Sequence, residues 1–234
     1  MINITLSQNF AMTTLTPALV VANLNKTIAT AEHSLTILQQ IDLRIEQGAT
    51  VAIVGSSGSG KSTLLGLLAG LDTPTSGSIQ LLGHELTTLS EDQRASLRQQ
   101  YVGFVFQSFH LLPHLTALEN VLLPLSLSKN TDSAWAKQCL EQVGLAHRLH
   151  HTPKQLSGGE QQRVAIARAF ACKPKILFAD EPTGNLDSQT GQHIIDLLFN
   201  LNAQHGTTLV LVTHDAQLAE RCQQRLTLAQ GQMV

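Results

Sequence analysis

Apolar residues fall along this chain in short continuous runs and at helical spacing. Thr50–Val54, Val102–Phe106, Ile176–Ala179 and Thr208–Val212 are short, apolar and rich in β-branched or aromatic residues, as expected of parallel strands buried on both faces. Leu64, Leu67, Leu68 and Leu71 stand at i, i+3, i+4 and i+7. They predict one buried helical face, with Pro74 just past the stop. A second helix should open near Ser157, bury Val164, Ala167 and Ala171, and end before Pro174. Leu226–Leu228 reads as a last strand, followed by a turn at Gln230-Gly231.

Between the first strand and the first helix lies Gly55-Ser56-Ser57-Gly58-Ser59-Gly60-Lys61-Ser62-Thr63, a complete G-x-x-x-x-G-K-[S/T] phosphate loop. Its glycines let backbone N–H groups close around phosphate oxygens, and the helix start adds positive partial charge. Lys61 is placed to reach β and γ phosphates, and the Ser62 hydroxyl to ligate Mg²⁺. A flexible Gly/Ser loop is the bland alternative, and the strand–turn–helix setting argues against it. The chain therefore reads as a binder of nucleoside triphosphates together with Mg²⁺.

Composition narrows the class. At 234 residues and 43% apolar content, one large domain, or a core with a subdomain, can bury a sizeable core. The net charge is −2 and no segment concentrates Lys or Arg, so nucleic acid is not an expected partner. Cys139, Cys172 and Cys222 are far apart and lack metal-ligand spacing, as reduced thiols do. The longest apolar stretches, Leu64–Leu71 and Val121–Leu127, are far short of a bilayer span. Residues 1–11 lack the order of a secretory signal. We expect 1–17 to be a disordered N-terminal extension, with Met12 a candidate start.

Ile176–Ala179 runs into Asp180-Glu181-Pro182, which sets two carboxylates at the C-terminal tip of a strand, where open α/β sheets bind ligands. Asp180 would hold Mg²⁺ and Glu181 would polarise the attacking water; a plain strand-end turn would use the same residue types. Ser157 and Glu160 form an S-x-x-E capping box, so this segment could merely start a helix. Yet Gly158 and Gly159 exceed what a cap needs and would let a phosphate approach the backbone N–H groups.

Taken in order, the phosphate loop, Gln107, Leu156–Gln162, Asp180–Thr183, Gly184-Asn185-Leu186-Asp187 and Thr213-His214-Asp215 resemble the full motif set of the ATP-binding cassette ATPases. The resemblance covers about 18–234 and implies an α/β P-loop NTPase fold with a mixed β core, an antiparallel β element and an inserted α-helical subdomain near 108–165. It further implies a homodimer on ATP binding, in which Ser157, Gly158 and Gly159 of one copy cap the γ-phosphate held by Lys61 of the other. By the same resemblance Gln107 contacts Mg²⁺, His214 holds the γ-phosphate and attacking water, and Asp187 crosses the interface. The aromatic that stacks on adenine in many members is replaced here, by register, by Ile28.

The spacing from Lys61 to Ser157 leaves no room for a long coiled coil, which weighs against the chromosome-maintenance and repair relatives. Phe104–Phe109, Leu111–Pro113 and Leu115–Val121 look like the group serving lipoprotein release, macrolide export and cell division, nearest its YbbA branch. That implies a cytoplasmic ATP hydrolase on the inner face of the inner membrane, with a permease bearing a large periplasmic domain. The movement would export or extract an apolar substrate such as a lipid, lipoprotein or drug. Two rivals are control of a periplasmic enzyme through a non-transporting permease, and a soluble ATP switch. Leu111, Leu118 and Val121 serve equally as subdomain core, while Phe109 and His110 would line a groove for a permease helix. Since the chain stops soon after Leu228, we expect no regulatory domain to follow.

Overall fold

The computed structural model describes residues 16–29, 34–127 and 132–234. The predicted extension and Met12 lie outside these residues except for Thr16 and Pro17. Two sheets share the molecule. An antiparallel sheet contains β1 (Leu19–Ala29), β2 (Ser34–Ile45), β4 (Ser76–Leu81) and β5 (His84–Glu85), ordered β2-β1-β4-β5. The main sheet contains β3 (Thr50–Val54), β6 (Val102–Val105), β7 (Ile176–Asp180), β8 (Thr208–Val212), β9 (Gln224–Ala229) and β10 (Gln232–Met233). Its order is β10-β9-β3-β8-β7-β6, parallel throughout except for the β9–β10 hairpin.

The apolar runs are continuous because each strand feeds two cores. Val51, Ile53, Ile176, Phe178, Val210 and Val212 pack toward α1 (Lys61–Leu68) and the antiparallel sheet. Their alternates Ala52, Val54, Leu177, Ala179, Leu209 and Leu211 face the helical side. With successive side chains on opposite faces, polar residues are confined to the strand ends, at Thr50, Thr208 and Asp180.

Two elements depart from the predicted boundaries. Helix α1 stops at Leu68, because Gly70 turns left-handed at φ 69° and the amides of Gly70 and Leu71 close onto Leu67 and Gly66 at 3.0 and 2.8 Å. This double closure is a Schellman stop. It carries Leu71 off the buried face, leaving it 48% exposed. Strand β6 ends at Val105, and Phe106 stacks instead between Phe104 at 4.1 Å and His110 at 4.5 Å. The spacing also gave no warning of β10, a short strand that pairs only through a turn at Gln230-Gly231.

Past α2 (Glu91–Tyr101) and β6, the chain forms α3 (Ala117–Leu127), α4 (Ser133–Gln142) and α5 (Gly158–Ala171) before returning to β7. Trp135 ties α4 to α5, its indole N–H donating to the Ala171 carbonyl at 2.7 Å while Lys173 lies 4.4 Å over the ring. Helices α6 (Ser188–His205) and α7 (Ala216–Glu220) complete the fold. Among the described residues no helix is long and apolar enough to cross a membrane.

One buried amide organises the loop ahead of α3. Asn120 is fully buried, donates to the carbonyls of Leu112, Leu115 and Thr116 at 3.0–3.2 Å, and accepts from Leu112 N–H at 2.8 Å. Val121 beside it is buried, while Leu111 and Leu118 are half-buried against the same core. Asn120→Ala strands the Leu112 N–H and the Leu115 carbonyl, while the Leu112 and Thr116 carbonyls keep the amides of Leu115 and Asn120, so stability should fall by about 1–3 kcal/mol, read as a lower midpoint in urea unfolding.

Candidate nucleotide site

The phosphate loop leaves β3 at Gly55 and enters α1 at Lys61. Gly60 takes φ 100°, and a Cβ there would lie 2.9 Å from Leu38 Cδ2 and 3.1 Å from the Ile37 carbonyl oxygen. Both conformation and crowding demand glycine. Lys61 is 7% exposed. Its ammonium donates to the carbonyls of Gly55 and Ser56, both at 2.9 Å, so the buried cation is hydrogen-bonded to neutral oxygens of its own loop.

Parallel pairing of β3, β8 and β7 brings their C-terminal ends to one edge of the sheet. Ser62 donates its hydroxyl to Asp180 Oδ1 at 3.2 Å. Burial pushes the Asp180 carboxyl above the usual range, with Glu181 adding repulsion against the lowering effects of Ser62 and Lys61. Glu181 stands at φ 43°, its N–H bonded to the Val212 carbonyl at 3.0 Å and its Oε2 3.4 Å from His214 Nδ1. A positive φ at a non-glycine is a strained choice that recurs at working sites. His214 is exposed, Glu181 mostly covered.

A cavity of about 750 Å³ opens over this cluster, lined by Ser57, Gly58, Gly60, Lys61, Ser62, Thr63, Glu181 and His214. Gly58 takes φ 77°, and a Cβ there would meet nothing within 4 Å, so conformation rather than crowding favours glycine at this position. The Ser59 hydroxyl is buried without a hydrogen-bond partner among the described residues. Hydroxyl and carboxylate side by side at Ser62 and Asp180 form an all-oxygen pair of the kind Mg²⁺ accepts, so the residues present fit the ion and the polyphosphate that would accompany it.

The other predicted residues stand apart in a single chain. Ser157, Gly158 and Gly159 contribute nothing to the lining of that cavity. Ser157 caps α5, accepting from Glu160 N–H at 3.3 Å while its own N–H donates to Glu160 Oε2 at 2.8 Å. Gly159 has a reason within the chain itself, because a Cβ would fall 2.5 Å from Thr190 Cγ2. Asp187 is the exposed N-cap of α6, accepting from Thr190 N–H at 2.9 Å; that bond holds its carboxyl below the usual range. Gln107 packs over Gly184 and donates to Asn185 Oδ1 at 3.4 Å. Ile28 is exposed on β1 opposite Leu35.

Leu35, Thr36, Ile37 and Gln230 also line the cavity, and sequence reasoning missed them as site residues. They arrive through pairing of distant segments: Gly231 N–H donates to the Ser59 carbonyl at 3.2 Å, and Gln39 N–H to the Gly231 carbonyl at 2.8 Å. No local pattern marks them.

The family model described as ABC transporter matches residues 38–184. The chain is 57% identical over 216 residues to the ABC transporter ATP-binding protein YbbA of Escherichia coli K12, covering 91% of this chain and 95% of that protein. It is 51% identical over 214 residues to the lipoprotein-releasing system ATP-binding protein LolD of Xanthomonas euvesicatoria, covering 90% and 87%. Among solved structures it resembles the ATP-binding cassette MJ0796, a dimer in a post-hydrolysis state bound to ADP and Pi. The TM-score is 0.85 and the identity 41%, over 92% of this chain and 96% of that one.

Because the Asp180 carboxyl is raised, there is a window above its ordinary value where the folded chain keeps a proton that the unfolded chain has lost. The contribution of this group to stability therefore falls as pH rises through the window. Asp180→Asn removes the buried charge and keeps an acceptor for Ser62. The nucleotide-free variant should melt higher than the unmutated protein near neutral pH, with the gap closing as pH falls through the raised value. Thermal melts from about pH 4 to about pH 8 test this; a gap that widened on acidification would contradict it.

Proposed function

The chain belongs to the ABC transporter family and is an ATP-hydrolysing cassette of it, and from that premise we propose that two copies close head to tail on ATP and drive an inner-membrane permease. The observation that carries the reading is the separation within one chain of an intact phosphate loop from an intact Ser157–Gly159 helix start. Each of the two needs a counterpart, and a second copy in antiparallel orientation supplies both.

In the proposed closed state, Lys61 leaves the carbonyls of Gly55 and Ser56 for the β and γ phosphates. Ser62 and Asp180 would hold Mg²⁺, directly or through its water shell, with Gln107 joining them after leaving Asn185. Bound there, Mg²⁺ would neutralise charge developing on the transferred phosphoryl group. Glu181 accepts a proton from the attacking water as general base, and His214, already within 3.4 Å of it, orients that water and the γ-phosphate. Ser157 and the N–H groups at the start of α5 approach from the second copy, and Asp187 crosses between the copies. Catalysis is then mainly positioning and charge stabilisation.

The permease contact is proposed at the loop after β6. Phe109 and His110 both take left-handed φ, 60° and 47°. Their carbonyls are held by the half-buried Arg168 guanidinium, at 2.8 Å and 2.6 Å. A groove of about 270 Å³ runs beside them, lined by Phe104, Phe106, His110 and Pro124. Leu112 and Leu123, near Phe109–His110 and Pro124 in the chain, are exposed. Apolar lining with strained loop carbonyls fits a short permease helix. The chain would sit on the cytoplasmic face of the inner membrane, and the permease would carry a large periplasmic domain. The LolD relatives are ATP-binding proteins of a lipoprotein-releasing system, which supports an apolar cargo such as a lipid or lipoprotein.

Glu181→Gln should lower ATP turnover on the order of 10²–10⁴-fold while ATP still drives dimer formation, followed by light scattering alongside phosphate release. Turnover at the unmutated rate would remove Glu181 from its role. Ile28 has no π-face to stack on adenine, so Ile28→Tyr should tighten ATP several-fold, stacking being worth about 1–3 kcal/mol, and widen the preference over GTP. Titration of both nucleotides measures it; a strong adenine preference already present in the unmutated protein would count against it.

A further inference from the structure

The capping box at the start of α5 works equally well with Glu or Gln at its third helical position, yet only Glu brings a charge. Here it is Glu160, and its carboxylate lies beside the N–H groups that the proposed function assigns to a phosphate. Bonds from Ser157 hold Glu160 below the usual carboxylate range, with Arg148 adding to the effect, so it is an anion. An anion in the first turn favours the helix and repels a second anion arriving at the same place.

Another element supplies a counter-charge. Arg148 ends a 3₁₀ turn at Ala146–Arg148; its Nε donates to Glu160 Oε1 at 3.0 Å while Glu160 Oε2 accepts the Ser157 N–H at 2.8 Å. The side chains are 35% and 14% exposed, so the pair is mostly out of water. Arg148 Nη1 meets His151 Nε2 at 3.1 Å. The backbone of the turn is fixed in its own right, since the N–H groups of Ala117 and Leu118, at the start of α3, donate to the carbonyls of His151 and Leu149 at 2.8 and 3.0 Å. Arg163, whose Nη1 lies 4.0 Å from where a Cβ on Gly159 would stand, forms no ion pair among the described residues. With Glu160 neutralised, one positive charge at this helix start is left over for a ligand.

We propose that Arg148 is a positioning residue for the phosphate cap: its guanidinium cancels the Glu160 charge and pins that carboxylate on the Ser157 amide, so that the start of α5 can receive the γ-phosphate of a second copy. The inference rests on the head-to-tail reading above. It also joins the loop that meets the proposed permease groove to the cap through a continuous run of contacts, α3 to the Arg148 turn to Glu160 to Ser157.

Charge cancellation makes a signature that mere scaffolding does not. In full-length protein carrying Glu181→Gln, ATP-driven dimerisation is measured by analytical ultracentrifugation, and ATP binding to the monomer by nucleotide fluorescence. Arg148→Gln should weaken dimerisation about tenfold or more, within the range of coupled charge pairs, with monomer binding unchanged. Adding Glu160→Gln removes the stranded charge and keeps the capping box, so dimerisation should return to within about threefold of the parent. If Arg148→Gln is harmless, or if the second substitution fails to rescue it, Arg148 does not act in this way. Ser157→Arg separates the two readings: if it leaves dimerisation intact the head-to-tail cap falls and this inference with it, whereas if it abolishes dimerisation without a rescue at 148 and 160, only this inference falls.

Discussion

The site exists because β3, β8 and β7 pair in parallel. Parallel strands begin and end at the same edges, so the segments leaving their C-terminal ends, Gly55–Gly60, Thr213-His214 and Asp180-Glu181, emerge together although they are far apart in the chain. Register does the rest. Ile53 stands opposite Val212, and Val212 opposite Asp180, which sets the phosphate loop, the histidine and the carboxylates at one height. A one-residue slip would invert every strand between the two cores, and since both faces are lined by fully buried Val, Ile, Leu and Phe, the packing resists it.

How much of this was legible in the sequence depended on whether the signal was local. Strands β3, β6, β7 and β8, the phosphate loop and the capped start of α5 are written in consecutive residues, and each appears where its pattern stands, to within a residue or two. Leu71 misled because helical spacing counts apolar positions and does not see Gly70 closing the helix beneath them. Leu35, Thr36, Ile37 and Gln230 were invisible for another reason: their place in the cavity comes from backbone bonds between β2, the phosphate loop and the β9–β10 turn, which no single segment announces. The importance of Arg148 was hidden likewise, since Glu160 reads as an ordinary capping residue until its second oxygen is seen to be occupied.

Glycine at Gly158-Gly159 illustrates how two explanations can share one residue. Viewed as sequence, paired glycines clear a path for an anion. In the fold, Gly159 is also needed where α5 meets Thr190 of α6, and buried Gln162 ties α5 to the Pro182 carbonyl at 2.6 Å, next to Glu181. The α5 start is thus anchored to the carboxylate turn of its own chain through close packing. Its exposed face, led by Ser157, remains available to a neighbour.

The junction of α4 and α5 has a practical corollary. Trp135 is the only tryptophan in the chain, and it sits at this seam with its indole bonded to Ala171 and a cation above the ring, away from the β strands that carry the nucleotide loop. Its emission is therefore an intrinsic optical probe of the helical insert alone: spectral change on adding nucleotide would register strain passed into that insert, with no dye attached and no residue replaced.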